Sequence, residues 1–460
     1  MTEKKDGLLT LLAAVFVLMP FVTHLLIGLS KAVTAYVLFP LSLLLTGGYL
    51  YANRGRSLRL EEKLVCALPL WFVVGCAVNY ATGVTTIGYP FFASIVSVAL
   101  FCFFFFRMIS EKESERALRI FAWCWAAPVT LASLFGIYLA VTGTKLSRAG
   151  HDEPIGVTGE GRLFLFGNPN TFGVICCIAL ALLLYLLLRE RKKGLIGTEA
   201  GMAAVVFIGL ALSDCRSAKI AMLPALFLFG FFLVKRITKK AGKREIVLAL
   251  TAGILLCVCM VLAWSGIKKG INAILDAEYS VSDGTEASEK VDHLDSRDYT
   301  VTEDLYDTAN VRLVLWKYAM EHIADRPLSL ILGYTPMAVK DEFIAPNPGI
   351  ITVYDHIHCG YIGLLISYGL VGVAGTLLFL VLLLIASCRI LFSGSDRISD
   401  AERFLPAILA LILIVNCTEE LLFTRDTIQE TNVFFALIAG YVFMKAGKLK
   451  KNQTLSSGDK

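Results

Sequence analysis

Residues 163–188 read LFLFGNPNTFGVICCIALALLLYLLL and contain no Asp, Glu, Lys or Arg. A helix needs about 20 mostly apolar residues to cross a hydrocarbon core about 30 Å thick. This run is long enough, and it is continuous rather than alternating. At about twice the length of a barrel strand, it predicts a membrane-spanning helix. Its opening Asn168-Pro169-Asn170 is polar and can be read as a helix kink, which membrane helices tolerate.

Comparable runs extend on both sides, over 8–29, 33–51, 64–80, 87–106, 120–142, 196–213, 218–234, 246–265, 360–388, 404–423 and 431–444. The expected fold is therefore an all-α polytopic integral membrane protein of about twelve transmembrane helices. Composition agrees: 56% of the 460 residues are apolar and 18% charged, against about 45–50% and about 25% in soluble domains. A soluble enzyme, a nucleic-acid binder and a disordered chain are excluded. The first run is too long for a cleaved signal peptide, and another follows almost at once. The organisation reads as spans one to nine in 1–265, an extracytoplasmic loop in 266–358, and spans ten to twelve with a cytoplasmic tail in 359–460.

Lys and Arg in the loops set the orientation. One set of short loops and tails carries 28 of them and the other carries 7; eight more lie in the long loop, where the rule does not apply. Both termini are expected in the cytoplasm. Ten of the twelve cysteines lie in or beside apolar runs and read as small packing residues. Only Cys215 and Cys359 fall near outer loops, and a bridge between them is the minority reading.

The long loop carries sixteen Asp and Glu against eight Lys and Arg. Most of the acid lies in 276–307, a solvated face whose spacing fits no EF-hand. From Ala309, Val311, Leu315, Tyr318, Met320 and Ile323 recur near helical spacing, which predicts an outer amphipathic helix over 309–324. Arg312, Trp316 and Ala319 share one of its faces, and Trp316 suits an interfacial anchor.

Ionisable residues are nearly absent from the middles of the runs and gather at the predicted outer ends. Arg162, Asn168 and Asn170 stand before or at the start of the sixth span. Arg216 lies in the turn Ser213-Asp214-Cys215-Arg216-Ser217, Arg312 on the outer helix, His358 before span ten, and Glu419 and Glu420 near the end of span eleven. Singly, each has a bland explanation: a snorkelling anchor for Arg162, a rim pair with Asp214 for Arg216, a solvated loop histidine, and glutamates paired with Arg425. Three arginines, a histidine and a carboxylate pair on one side together suggest a site for an anionic, membrane-borne substrate.

Four segments resemble the O-antigen ligase and polymerase superfamily of bacterial envelope glycosyltransferases. They are Gly161-Arg162 with Gly167-Asn168-Pro169-Asn170; Leu212-Ser213-Asp214-Cys215-Arg216-Ser217; Arg312-x-x-x-Trp316 with Asp325-x-Pro327 and Leu332-Gly333-Tyr334; and His358-Cys359-Gly360-Tyr361 with Tyr368-Gly369-Leu370-Val371-Gly372. Cys359 stands where the family usually has Asn, and Cys215 and Ser217 flank Arg216 where its pattern also differs. The resemblance covers about 160–375.

It implies a GT-C-like fold in the bacterial cytoplasmic membrane. It also implies transfer or polymerisation of a glycan from a polyprenyl, usually undecaprenyl, diphosphate on the outer face. The acceptor would be another lipid-linked glycan or a lipid, and other polysaccharide-assembly membrane proteins are possible partners. No cofactor, metal or nucleic acid is implied. In that picture His358 activates the acceptor, and Arg216 and Arg312 stabilise the leaving diphosphate. Arg162, Asn168, Asn170, Trp316, Tyr361, Glu419 and Glu420 contact substrate. A lipid-linked oligosaccharide flippase or other transporter is the rival reading; it calls for broken helices or repeats.

Overall fold

The computed structural model describes residues 39–52, 57–83, 89–110, 114–146, 155–157, 161–165, 169–238, 243–280, 327–334, 358–419, 421–422 and 429–457, with isolated residues at 36, 55, 313, 316–317, 319–321 and 323. The first apolar run, 8–29, lies outside the described residues. The helices are α1 (Phe39–Ala52), α2 (Leu60–Ala81), α3 (Tyr89–Ser110), α4 (Ser114–Thr142), α5 (Pro169–Arg189), α6 (Lys193–Ser213), α7 (Arg216–Thr238), α8 (Lys243–Ser280), α9 (Pro327–Leu332), α10 (Gly360–Leu391), α11 (Asp400–Val415) and α12 (Gln429–Ser457). A two-stranded antiparallel hairpin, β1 (Gly156–Val157) and β2 (Leu163–Phe164), stands between α4 and α5.

Among the described residues, eight helices are long and apolar enough to cross a membrane: α2, α4, α5, α6, α7, α8, α10 and α12. The chain is thus a nearly all-helical, multi-pass membrane protein. Three boundaries differ from the sequence reading. The sixth run begins as strand β2, and its helix starts only at Pro169. Proline fits the first turn of a helix because its missing N–H would be unpaired there, so Pro169-Asn170 is a helix start rather than a kink. Helix α8 continues to Ser280, well past 265. Helix α11 stops at Val415 and gives way to turns at 416–418.

The chain divides into two compact units. The described part of the first comes from Arg116–Asp298 and Gly394–Leu411. Its central helix is α5, buried continuously from Thr171 to Leu186, so its all-round apolar surface is covered by protein where a peripheral span would face lipid. Helices α7 and α8 cross at a glycine pair, where a Cβ on Gly230 would come within 2.9 Å of the Gly253 Cα. Small residues let membrane helices approach and gain dispersion contacts. At the end opposite the Ser213–Arg216 turn, Arg236 closes the C-terminus of α5. Its Nη1 donates to Leu187 O and Leu188 O, each at 2.8 Å, and its Nη2 donates to Glu190 O. A cation there complements the negative end of the helix dipole. Glu190 in turn accepts the amides of Lys192 and Arg191, which hold its carboxyl below the usual range. Helix α11 starts on a capping box, with Ser399 N and Glu402 N bonded to each other's side chains at 2.8 and 3.3 Å.

The described part of the second unit comes from Leu29–Glu115, Tyr299–Ser393 and Ile412–Lys460. Helices α3, α10 and α12 interlock through aromatic rings. Phe105 meets Phe379 at 5.7 Å and Phe443 at 5.9 Å, edge to face. Asn432 Nδ2 donates to Ser97 Oγ at 2.6 Å inside this layer.

Helix α10 breaks at Gly369, whose φ is 65°. The break leaves carbonyls without helical partners, and other segments satisfy them. Tyr334 N donates to Ile366 O at 2.6 Å, and Trp71 Nε1 donates to Tyr368 O at 2.9 Å. Asn79 Nδ2 holds the docked segment by donating to Gly333 O at 2.9 Å.

Candidate functional site

In the first unit, the hairpin delivers Arg162. Its register pairs Gly156 with Phe164 and Val157 with Leu163, and Gly161 takes φ 69° just before the arginine. The guanidinium then bridges two helix ends. Nε donates to Ser213 O at 3.1 Å, at the close of α6, and Nη2 donates to Asn170 Oδ1 at 2.5 Å, in the first turn of α5. Asn170 therefore orients Arg162. Asn168 lies outside the described residues.

Between α6 and α7 the turn is only Asp214-Cys215. Asp214 caps α6 in the left-handed region, at φ 50° and ψ 34°, a conformation that Asp reaches more readily than most residues. Both of its carboxylate oxygens are held from α8. Lys268 Nζ lies 2.8 Å from Oδ2, and Trp264 Nε1 donates to Oδ1 at 3.2 Å. Arg216 is the first residue of α7 and is exposed.

In the second unit the geometry centres on His358, only 8% exposed, with φ 54°. A positive φ in a non-glycine residue is uncommon. It turns the chain sharply into Cys359, the N-cap of α10. His358 Nδ1 lies 3.5 Å from Glu419 Oε2, and Glu419 is equally buried. Asn416 organises the approach. Its carbonyl accepts Gly360 N at 2.8 Å, and its Oδ1 accepts the amides of Leu421 and Leu422 at 3.0 and 3.1 Å. Tyr361 donates its hydroxyl to Leu413 O at 2.9 Å, which ties α10 to α11.

Trp316 is helical and half-buried, packed against Ala319, Ile323, Tyr334 and Ile366. It is thus part of a small protein core. Arg312, Glu420, His356 and Arg425 lie outside the described residues. Cys215 and Cys359 are both free thiols.

Sequence reasoning missed Lys268, Trp264 and Asn416. The available signal for the first two was Trp264-x-x-x-Lys268 at the end of an apolar run, since residues four apart share a helix face. Asn416 gave no signal beyond being a lone amide in an apolar stretch.

Residues 201–377 match the family model of O-antigen ligase. The matched stretch contains Arg216, Lys268, Trp316 and His358, while Arg162 and Glu419 lie outside it. No curated protein matches the chain.

Proposed function

We propose that the protein is a glycan ligase or polymerase acting outside the cytoplasmic membrane, a reading supported by the match of residues 201–377 to the family model of O-antigen ligase. It takes a glycan from a polyprenyl diphosphate and joins it to an acceptor hydroxyl. The bond between the sugar's anomeric carbon and the diphosphate oxygen breaks, and its electron pair stays on the diphosphate. The acceptor oxygen bonds to that carbon, and its proton goes to His358.

The observation that carries this reading is the approach of His358 Nδ1 to Glu419 at 3.5 Å. A carboxylate at Nδ1 favours the tautomer with its proton on that nitrogen, so Nε2 becomes the base. As the imidazole gains its second proton, Glu419 stabilises the cation. The opposite charge develops on the diphosphate, and the family resemblance assigns it to arginines such as Arg162 and Arg216, since a guanidinium offers a planar fork to phosphate oxygens. Arginine does the charge work in this scheme, and no metal is required.

The break at Gly369 is a feature the transporter reading also calls for. In transporters such a break exposes carbonyls to a cavity. Here Tyr334 and Trp71 occupy the carbonyls of Ile366 and Tyr368, which favours a structural joint over an ion path.

The test is polymer or conjugate yield from purified lipid-linked donor. His358→Ala should insert normally and lose about 10²–10⁴ in rate. Unchanged yield would remove His358 from the mechanism. In cells, gene deletion and electrophoresis of the surface glycan separate the two activities. A single retained repeat means polymerase; free lipid-linked polymer means ligase.

A further inference from the structure

All twelve cysteines are described, and all are free thiols. Two of them stand on the segments that bring His358 to Glu419. Cys359 follows His358 and is the N-cap of α10. Cys417 lies in the turn after α11, two residues before Glu419. The backbone limits how far apart they can be. Gly360 N donates to Asn416 O at 2.8 Å, so the peptide unit after Cys359 is bonded to the one before Cys417. With standard backbone dimensions, that contact holds the two Cα atoms within about 8 Å, and a disulfide needs about 4.4–6.8 Å.

The side chains converge as well. Cys417 Sγ bonds to Leu413 O at 3.7 Å, and Tyr361 donates its hydroxyl to that same oxygen at 2.9 Å. The Tyr361 hydroxyl lies close enough to both sulfurs to interact electrostatically with each, and the two thiols interact with one another. They differ in access. Cys417 is exposed, whereas Cys359 is only 7% exposed. Thiol–disulfide exchange depends on access, so it starts at the exposed thiol, and a neighbouring thiol completes it.

We infer that Cys359 and Cys417 form a reversible disulfide that ties the start of α10 to the turn after α11. The oxidant is an external disulfide. The Cys417 thiolate attacks one of its sulfurs, the external S–S bond breaks, and the electron pair leaves on the other sulfur. The Cys359 thiolate then attacks Cys417 Sγ, and the mixed disulfide breaks to release the second external thiolate. The protons lost by the two cysteines go to the two thiolates released. The protein is thus oxidised by two electrons and the external disulfide reduced by two. Closing the loop from 359 to 417 restrains the unfolded chain, so the bridged form unfolds at a higher temperature. The pairing is independent of the proposed function; only the oxidising surroundings, which suit an outward face, are taken from it.

The test incubates the full-length, reduced protein with glutathione disulfide, then blocks free thiols and maps the digested peptides by mass spectrometry. The wild type should yield a peptide linked through Cys359 and Cys417, a result that needs no variant to fold. Cys359→Ser should stop at the first step and carry glutathione on Cys417. Cys417→Ser should leave Cys359 unmodified over the same period. Oxidation should raise the unfolding temperature of the wild type by a few degrees, and reductant should reverse the rise; neither serine variant should show it. Glutathione on Cys417 of the wild type without a linked peptide would mean that the two sulfurs do not meet, and would overturn the pairing. So would an unmodified Cys417, or a link from either cysteine to a different partner. A correct link with no change in unfolding temperature would overturn the tie between α10 and the turn after α11.

Discussion

A Cβ placed on Gly360 would come within 2.0 Å of Asn416 Oδ1, and the Gly360 amide already donates to the Asn416 carbonyl at 2.8 Å. The absence of a side chain at 360 is thus what lets the start of α10 rest against the turn after α11. That turn carries Glu419, and the start of α10 carries His358. Fifty-six residues of sequence separate Gly360 from Asn416, yet their contact brings the segments that carry His358 and Glu419 together.

Gly360→Ala should therefore act on the reaction as well as on stability. The methyl must push the Asn416 side chain away from the Leu421 and Leu422 amides it accepts. Losing one such bond costs about 1 kcal/mol, and the larger effect falls on the alignment of Glu419 with His358. The expected result is a loss in turnover with little change in donor affinity. Equal activity in Gly360→Ala and wild type at matched protein level would separate this contact from catalysis.

The break in α10 supports a second prediction, about stability alone. Gly369 has φ 65°, and a Cβ there would lie 2.2 Å from Ile331 O. Gly369→Ala meets both backbone strain, about 1–3 kcal/mol, and a clash that only movement of α9 can relieve. Trp71→Phe removes only the donor to Tyr368 O and should cost about 1 kcal/mol, or somewhat more if the carbonyl stays buried. Thermal unfolding in one detergent should place wild type above Trp71→Phe, and Trp71→Phe above Gly369→Ala. The reverse order would mean that the segment at Gly333 is not locked into the break.

These particulars show where the sequence was readable. The run at 163–188 announced a membrane helix because apolar length is a local property. The turn at 213–217 and His358 stood out because charges are scarce beside such runs. The strand at Leu163–Phe164 was swallowed by the same apolar count, since hydropathy does not distinguish a short buried strand from the first turns of a helix. Lys268 falls in the sequence's long loop because the apolar run 246–265 ends three residues before it. Only the 54-residue return to Asp214 shows that the helix continues and the lysine is buried. Asn416 and Gly360 are paired by tertiary packing, which no periodicity encodes.

Orientation yields a third prediction. The bias of 28 Lys and Arg against 7 predicts both termini in the cytoplasm and the long loop outside. A single cysteine at Ser288, in a background cleared of reactive native thiols, should react with an impermeant reagent on intact cells. Labelling only after lysis would invert the topology and put the Arg216 turn on the cytoplasmic face.

The last prediction separates two arginines that the sequence treats alike. Arg162 spends two donors on the protein, Nε to Ser213 O at 3.1 Å and Nη2 to Asn170 Oδ1 at 2.5 Å. A lysine cannot reproduce that bridge, because one ammonium does not reach along a fork. Arg162→Lys should therefore lower thermal stability by about 1–3 kcal/mol, the range for lost bonds to a charged donor, and lower activity with it. Arg216 is exposed at the first residue of α7. If it grips the leaving diphosphate, Arg216→Lys keeps the charge and loses the bidentate contact. Stability should then be unchanged while turnover falls roughly 10²–10³, as when one preorganised donor to a developing charge is lost. A rim cation with no such task is worth only about 0–1 kcal/mol, and lysine would replace it with little loss. The measurement is unfolding temperature and product yield from purified lipid-linked donor, on the same preparations. Full yield from Arg216→Lys would remove it from the diphosphate site and leave that charge to Arg162.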